Sequence, residues 1–219
     1  MTPPAQHRPN HGRTETRKRC RAFTLIELLT VIAIIGILAG ILIPTVSGVR
    51  NSAKKAETKV RFSQWAAAME QFKQEYGYYP QIDGGSGNKI NFARFAGALT
   101  GRRLDGSEFN SNTDPDLAGN KRKIAFYAIS ESELSADMTA LVDGFGNTDF
   151  AVYYDKNGDN RITASDSSGG VAVTVTGSSG SFRPTSDDFN LSGTGVRASL
   201  IFYSAGKGTS SDDIIFSWK

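Results

Sequence analysis

A single carboxylate lies inside an otherwise uncharged apolar segment near the N-terminus. The segment runs from Phe23 to Ile43, and Glu27 is its only charged residue. In helical form its 21 residues span roughly 31 Å, the thickness of the hydrocarbon core of a bilayer. An ionisable residue costs roughly 2.5–3.5 kcal/mol at the centre of such a segment and less near its end. Glu27 therefore predicts a function that needs a partner for its charge.

Residues 1–22 are basic and favour a cytoplasmic location. They contain one acid, Glu15, and six basic residues: Arg8, Arg13, Arg17, Lys18, Arg19 and Arg21. By the positive-inside rule, the remainder of the chain then faces outward. A secretory signal peptide and a plain membrane anchor are the alternative interpretations. However, the apolar part of a secretory signal normally has about 7–15 residues, and this segment is longer and carries an acid near its start.

The N-terminus has a basic leader, a small residue, the run Phe-Thr-Leu-Ile-Glu and then an apolar helix. It resembles the signal of type IV pilins and type II secretion pseudopilins. The resemblance implies cleavage by a prepilin peptidase between Ala22 and Phe23, and methylation of the new amine of Phe23. Most family members carry glycine where this chain has Ala22. Glu27 of one subunit is then expected to pair with the Phe23 amine of its neighbour. Pro44 stands where pilins commonly soften this helix, because proline removes a backbone donor.

Composition excludes several classes of enzyme once the leader is removed. His7, His11 and Cys20, which are all the histidines and the only cysteine of the chain, lie within residues 1–22. The remainder therefore lacks Cys/His nucleophiles, His- or Cys-ligated zinc and disulfides. The formal charge is +3 for the whole chain but −2 for residues 23–219, so the charge of the remainder gives no support to nucleic-acid binding. A hydrolase that uses Asp187 and Asp188 is disfavoured, because neighbouring residues on a strand point to opposite faces.

The expected fold is α+β and pilin-like, with a long N-terminal helix packed on a small antiparallel sheet and a loop-rich C-terminal region. The predicted parts are a cytoplasmic leader (1–22), a transmembrane and filament-core helix (23–43), an amphipathic helix (44–80) and a globular head outside the membrane (81–219). Aromatic and apolar residues recur three or four positions apart in the amphipathic helix, which predicts a core face: Phe62, Trp65, Met69, Phe72 and Tyr76.

Within the head, the pattern predicts a short helix over 91–100, capped by Asn91, and strands over 123–129, 150–154, 171–176 and 199–203. The turn at 141–147 and the tail at 212–218 resemble most the major pseudopilin of type II secretion. Residues 167–197 are rich in Gly, Ser and Thr, which predicts an exposed loop or a hairpin insertion.

Residues 155–166 resemble a calcium loop, because oxygen-bearing side chains recur at its first, third and fifth positions. Arg161 would contribute its backbone carbonyl at the seventh position. The complete predicted ligand set is Asp155, Asn157, Asp159, Arg161 and Asp166. Asn160 replaces the usual glycine, and the alternative interpretation is an ion-free turn, since Asn-Gly and Asp-Asn form turns unaided.

A second calcium site is implied at the C-terminal loop by the resemblance to the major pseudopilin. Asp212 and Asp213 match the acidic positions of that pattern, whereas Lys207 stands where the family usually has an aspartate. The alternative is an ion pair between Lys207 and one of the two acids.

The resemblance implies a structural subunit that polymerises through its N-terminal helix into a type II secretion pseudopilus or a type IV pilus-like filament. Its implied partners are other copies of itself, other pseudopilins, the prepilin peptidase, an assembly ATPase, a platform membrane protein and, before assembly, membrane lipid. The expected location is the bacterial inner membrane, with the head in the periplasm. The alternative function is a minor pilin that contacts a substrate, a surface or DNA through residues 167–197.

Overall fold

The computed structural model describes residues 23–83, 87–109, 114–167, 170–191 and 193–219, with the side chain of Pro44 left aside. The predicted leader, including Ala22 of the cleavage site, lies outside these residues. The chain divides into two compact units, with the boundary between Val46 and Ser47. Helix α1 (Leu25–Tyr76) runs through that boundary and continues past Pro44. It ends at Gly77, whose positive φ of 82° suits glycine and whose N–H donates to the Lys73 carbonyl.

The second unit, residues 47–219, is built around the predicted aromatic stripe of α1. Phe62, Trp65, Met69 and Phe72 are completely buried, which confirms the expected core face. Trp65 contacts rings from three other elements, and its ring centroid lies 5.2 Å from that of Phe150. The spacing of three and four residues therefore sets how this half of α1 contacts the head.

A three-stranded antiparallel sheet packs against this stripe. Its strands are β1 (Phe150–Tyr154), β4 (Leu200–Ser204) and β5 (Ile215–Phe216), in the order β1-β4-β5. The register pairs Val152 with Phe202. Phe150, Val152 and Phe202 belong to the core cluster that contains Trp65. The predicted strands 150–154 and 199–203 are confirmed, the second with a shift of one residue.

The opposite face of the sheet is also buried, against the C-terminal third of the chain. A two-stranded hairpin, β2 (Val175–Gly177) and β3 (Gly180–Phe182), lies in this region. The buried residues of this second cluster come from both the sheet and the covering segment: Ala151, Tyr153, Ile162, Ala172, Val175, Phe189, Leu191, Ile201, Tyr203, Ala205, Ile214 and Phe216. The hairpin expected within 167–197 is present, but the segment also covers the sheet instead of being only an exposed loop. The strand predicted over 171–176 is reduced to β2.

Helix α2 (Phe92–Thr100) matches the predicted short helix. Its cap is Asn91, whose side-chain oxygen accepts from the Arg94 N–H at 3.1 Å, and Gly101 ends it in the left-handed region. The strand predicted over 123–129 is wrong. The N–H groups of Phe126 and Tyr127 both donate to the Leu99 carbonyl at the end of α2, so this segment pairs with a helix end and not with a neighbouring strand.

Candidate functional site

The N-terminus of α1 is closed by a reciprocal cap between Thr24 and Glu27. The Oε2 atom of Glu27 accepts from both the backbone N–H and the hydroxyl of Thr24, each at 2.8 Å, and the Glu27 N–H donates back to the Thr24 hydroxyl at 3.3 Å. This is a capping box. The Thr-x-x-Glu spacing is the sequence signal of this cap, and it gives Glu27 a partner within its own chain besides the predicted partner in a neighbouring subunit.

The cap places the Glu27 carboxylate at the start of the helix, in contact with Thr24, the residue after Phe23. Cleavage after Ala22 would create a positive amine on Phe23, the residue directly before Thr24. The carboxylate has a second oxygen, Oε1, for which no contact is seen in the described part of the chain. Pairing of Glu27 with the amine of a neighbouring subunit stays a prediction, because one chain contains no neighbour.

The first unit presents an apolar surface along its helix. All large apolar side chains from Phe23 to Ile43 are exposed, with exposed fractions between 46% for Val31 and 82% for Leu25. Among the described residues, α1 is the one helix long and apolar enough to cross a membrane. Such a surface needs lipid or other apolar helices around it, because water contact with so much apolar area is unfavourable.

The acids of the 155–166 loop accept hydrogen bonds from the loop's own backbone. Asp155 accepts from the N–H groups of Gly158 at 2.7 Å and Asn160 at 2.7 Å. Asp166, which is fully buried, accepts from Lys156 and Thr163, both at 2.9 Å. Contacts of this kind are typical of turns rich in Asp and Asn.

The remaining predicted ligands of this loop turn toward each other. Asp159 accepts from the Asn157 side chain at 3.0 Å and from the Arg161 N–H at 2.8 Å. In the C-terminal loop, the hydroxyl and the backbone N–H of Thr209 both donate to the Asp213 carboxylate, and these contacts lower the pKa of that carboxyl. Across the ranges described above, no group of three acidic, His or Cys side chains is arranged to hold a metal ion. Calcium at Asp155, Asn157, Asp159, Arg161 and Asp166, or at Asp212 and Asp213, therefore stays a prediction.

The sequence pattern did not identify the turn that joins α1 to the sheet, in which Asp143 binds β4 and Gly144 binds α1. Asp143 is 3% exposed, and its carboxylate accepts from Phe145 N at 2.8 Å, Asn147 N at 2.9 Å, Asn147 Nδ2 at 3.0 Å and Ser204 Oγ of β4 at 2.9 Å. In the same turn, the Gly144 N–H donates to the Thr58 hydroxyl of α1 at 3.0 Å. The turn thus holds the head against the C-terminal half of α1.

Glycine is required at position 144 by close approach of the helix. A Cβ at this position would lie 2.5 Å from the carbonyl oxygen of Lys54. From the sequence, this Asp-Gly-Phe-Gly-Asn turn was identified only by its resemblance to the major pseudopilin. An Asp followed by two glycines and an Asn is the available signal for a turn whose side chains bind its own backbone.

Comparison with known proteins finds matches in the N-terminal region and in two classes of relatives. Residues 17–43 match the family model described as the prokaryotic N-terminal methylation motif. The chain is 38% identical over 86 residues to the type IV major pilin protein PilA of Myxococcus xanthus. It is 35% identical over 69 residues to the type II secretion system core protein G of Pseudomonas aeruginosa, and 30% identical over 70 residues to that of Dickeya chrysanthemi.

These similarities cover part of each protein. They span 39%, 32% and 32% of this chain, and 37%, 49% and 46% of the pilin and the two core proteins, respectively. The chain thus spans about a third to a half of the length of the curated relatives it matches. No solved structure matches the chain.

Proposed function

We propose that this chain is a member of the type IV pilin and pseudopilin family and a structural subunit that is processed at its N-terminus and assembled into a filament. The filament is a type II secretion pseudopilus or a type IV pilus. The observation that carries the proposal is the exposed apolar helix with its single acid, Glu27, in the methylation motif. A surface of this kind can lie in lipid before assembly and against equivalent helices afterwards.

The cap between Thr24 and Glu27 gives the acid two functions in this proposal. It starts the helix directly after Phe23, and it keeps a carboxylate near the amine that processing would create. In an apolar surrounding, an unpaired carboxylate is costly, so a neighbouring amine lowers the free energy of the assembled state more than it would in water. Helix packing and this ion pair together would set the register between subunits.

The implied machinery and location belong to the same proposal. A prepilin peptidase cleaves between Ala22 and Phe23, and an assembly ATPase and a platform membrane protein drive polymerisation with other pseudopilins. Before assembly the chain is a single-pass protein of the bacterial inner membrane with its head in the periplasm. The chain acts without catalysis, since its function consists of packing between subunits.

The test is filament assembly by a Glu27→Gln variant in the native host. Glutamine keeps the size and an acceptor for the Thr24 cap but removes the charge. We expect processed but unassembled protein in the membrane fraction, whereas Glu131→Gln, a neutralisation of an exposed acid in the head, should assemble normally. Normal filaments from Glu27→Gln, counted by electron microscopy of sheared fractions, would contradict the proposal.

A further inference from the structure

An open cleft of about 1020 Å³ lies in the head, where the C-terminal end of α1, helix α2 and the end of β1 meet. Its volume is at the upper end of that of ligand pockets. Such a volume suits a chain-like ligand more than a single small molecule. Asp155 and Asn157 of the 155–166 loop lie at its edge, but the filament proposal does not use the cleft.

The floor of the cleft is formed by two buried tyrosines. Tyr79 and Tyr154 are 7% and 8% exposed, with ring centroids 5.9 Å apart. The hydroxyl of Tyr79 donates to the Glu70 carboxylate. Burial, with the nearby Asp83 carboxylate, raises the pKa of Tyr154 to about 12.

Three cationic side chains line the cleft above this floor: Lys73, Arg94 and Lys156. The Lys73 ammonium lies 4.3 Å from the centroid of the Tyr79 ring, and the Lys156 ammonium lies 5.2 Å from that of Tyr154. Within the described ranges, none of the three forms an ion pair with a carboxylate, unlike the cations of the seven ion pairs found there. The two lysines lie over ring faces instead.

Two acids, Asp83 and Asp155, also line the cleft and offset part of this charge, but both are buried and give a ligand little surface to contact. Asp155 directs its carboxylate to the backbone N–H groups of Gly158, Asp159 and Asn160. Asp83 is 7% exposed and lies beside the Tyr154 hydroxyl. The accessible groups are thus mainly cationic, and the cleft should attract anions.

The rim adds an exposed ring and an amide to these cations. Tyr78 is 48% exposed and lines the cleft, as does the exposed Gln81. A ligand that uses all three features carries carboxylates for the cations, flat apolar ring faces for Tyr78 and hydroxyls for the amide. We propose that the cleft binds an acidic oligosaccharide with one carboxylate on each sugar ring. An acidic peptide would use the cations but not the exposed ring.

The experiment is titration of the full chain, solubilised in detergent, with oligogalacturonate, followed by calorimetry. Lys73→Gln, Arg94→Gln and Lys156→Gln should each weaken binding about tenfold, as expected for loss of one charge-assisted contact. Tyr78→Leu should also weaken binding while leaving the charge unchanged. Lys55→Gln removes an exposed lysine of α1 that does not line the cleft and is the matched control.

Folding of each variant is checked by circular dichroism, so that loss of binding is separated from loss of structure. The proposal is supported if the four cleft variants bind oligogalacturonate more weakly than the wild type and if the neutral maltooligosaccharide does not bind. The proposal is overturned if the wild-type chain binds no oligogalacturonate. It is equally overturned if polyglutamate or duplex DNA binds as tightly, or if Lys55→Gln weakens binding as much as the cleft variants.

Discussion

The turn around Asp143 provides a quantitative test of how the head is held on α1. In Asp143→Asn, the amide oxygen can keep the contacts from Phe145 N and Asn147 N, but the amide NH2 replaces the oxygen that faces the Asn147 side-chain donor and Ser204. Ser204 can rotate its hydroxyl to accept. The Asn147 donor cannot, so two N–H donors face each other in a buried site.

The magnitude follows from these four contacts. A buried donor without an acceptor costs about 1–3 kcal/mol, and the remaining contacts lose the strength that a charged acceptor gives. We expect Asp143→Asn to lower the free energy of unfolding by about 2–4 kcal/mol. For a unit of this size that corresponds to a fall in Tm of roughly 5–15 °C. Ser204→Ala, which removes one of the four contacts, should cost about 1 kcal/mol.

The assay is urea and thermal unfolding of residues 47–219, followed by circular dichroism. Asp137→Asn is the matched control, because Asp137 also accepts from neighbouring turn residues, Ser135 and Thr139, but sits in an exposed turn. It should change stability by less than about 0.5 kcal/mol. Equal effects of the two substitutions would refute the reasoning that burial makes the Asp143 turn the connection between α1 and the sheet.

Two further predictions concern ions and protons. Calcium titration of residues 47–219 by calorimetry tests the two predicted metal sites. Binding at the 155–166 loop predicts a heat signal that is weakened in Asp155→Ala, and binding at the C-terminal loop predicts one that is weakened in Asp213→Ala. A wild-type titration without heat would contradict both predictions. Acid unfolding tests Asp188, whose pKa is lowered by the Lys219 ammonium and the Thr185 hydroxyl. Because the folded pKa is below the ordinary value of about 3.9, this stabilisation is present above that value and is lost as the pH falls through the folded pKa. Asp188→Asn should therefore narrow the difference in Tm between pH 7 and pH 2, and an unchanged difference would contradict the assignment.

The parts of the fold that were predictable are those with a strong local pattern. The spacing of Phe62, Trp65 and Met69 identified the buried face of α1, and Asn91 identified the start of α2, because helix periodicity and capping depend on neighbours within a few residues. The strand predicted over 123–129 was wrong because strand formation depends on a partner that is distant in sequence. The burial of the second face of the sheet was not predicted either. The segment that covers it, 167–197, is distant in sequence from most of the sheet and contains few apolar residues.

The candidate site was predictable to a similar extent. Glu27 was identified from its cost in an apolar segment, but its cap with Thr24 was overlooked although the motif is local. Asp143 was missed because its importance comes from Ser204 and from the α1 residue Thr58, which lie 61 and 86 positions from their partners in the turn. The acids of the 155–166 loop have the spacing of a calcium loop, yet their contacts are set by backbone amides that a sequence pattern does not specify.

The most direct test of the filament proposal is the intact mass and N-terminal residue of this protein purified from its own membranes. The proposal predicts a chain that begins with N-methylated Phe23, without residues 1–22. An uncleaved chain, or one cleaved after the apolar segment at Ile43, would contradict it, because the helix would then carry a leader or be lost from the mature protein.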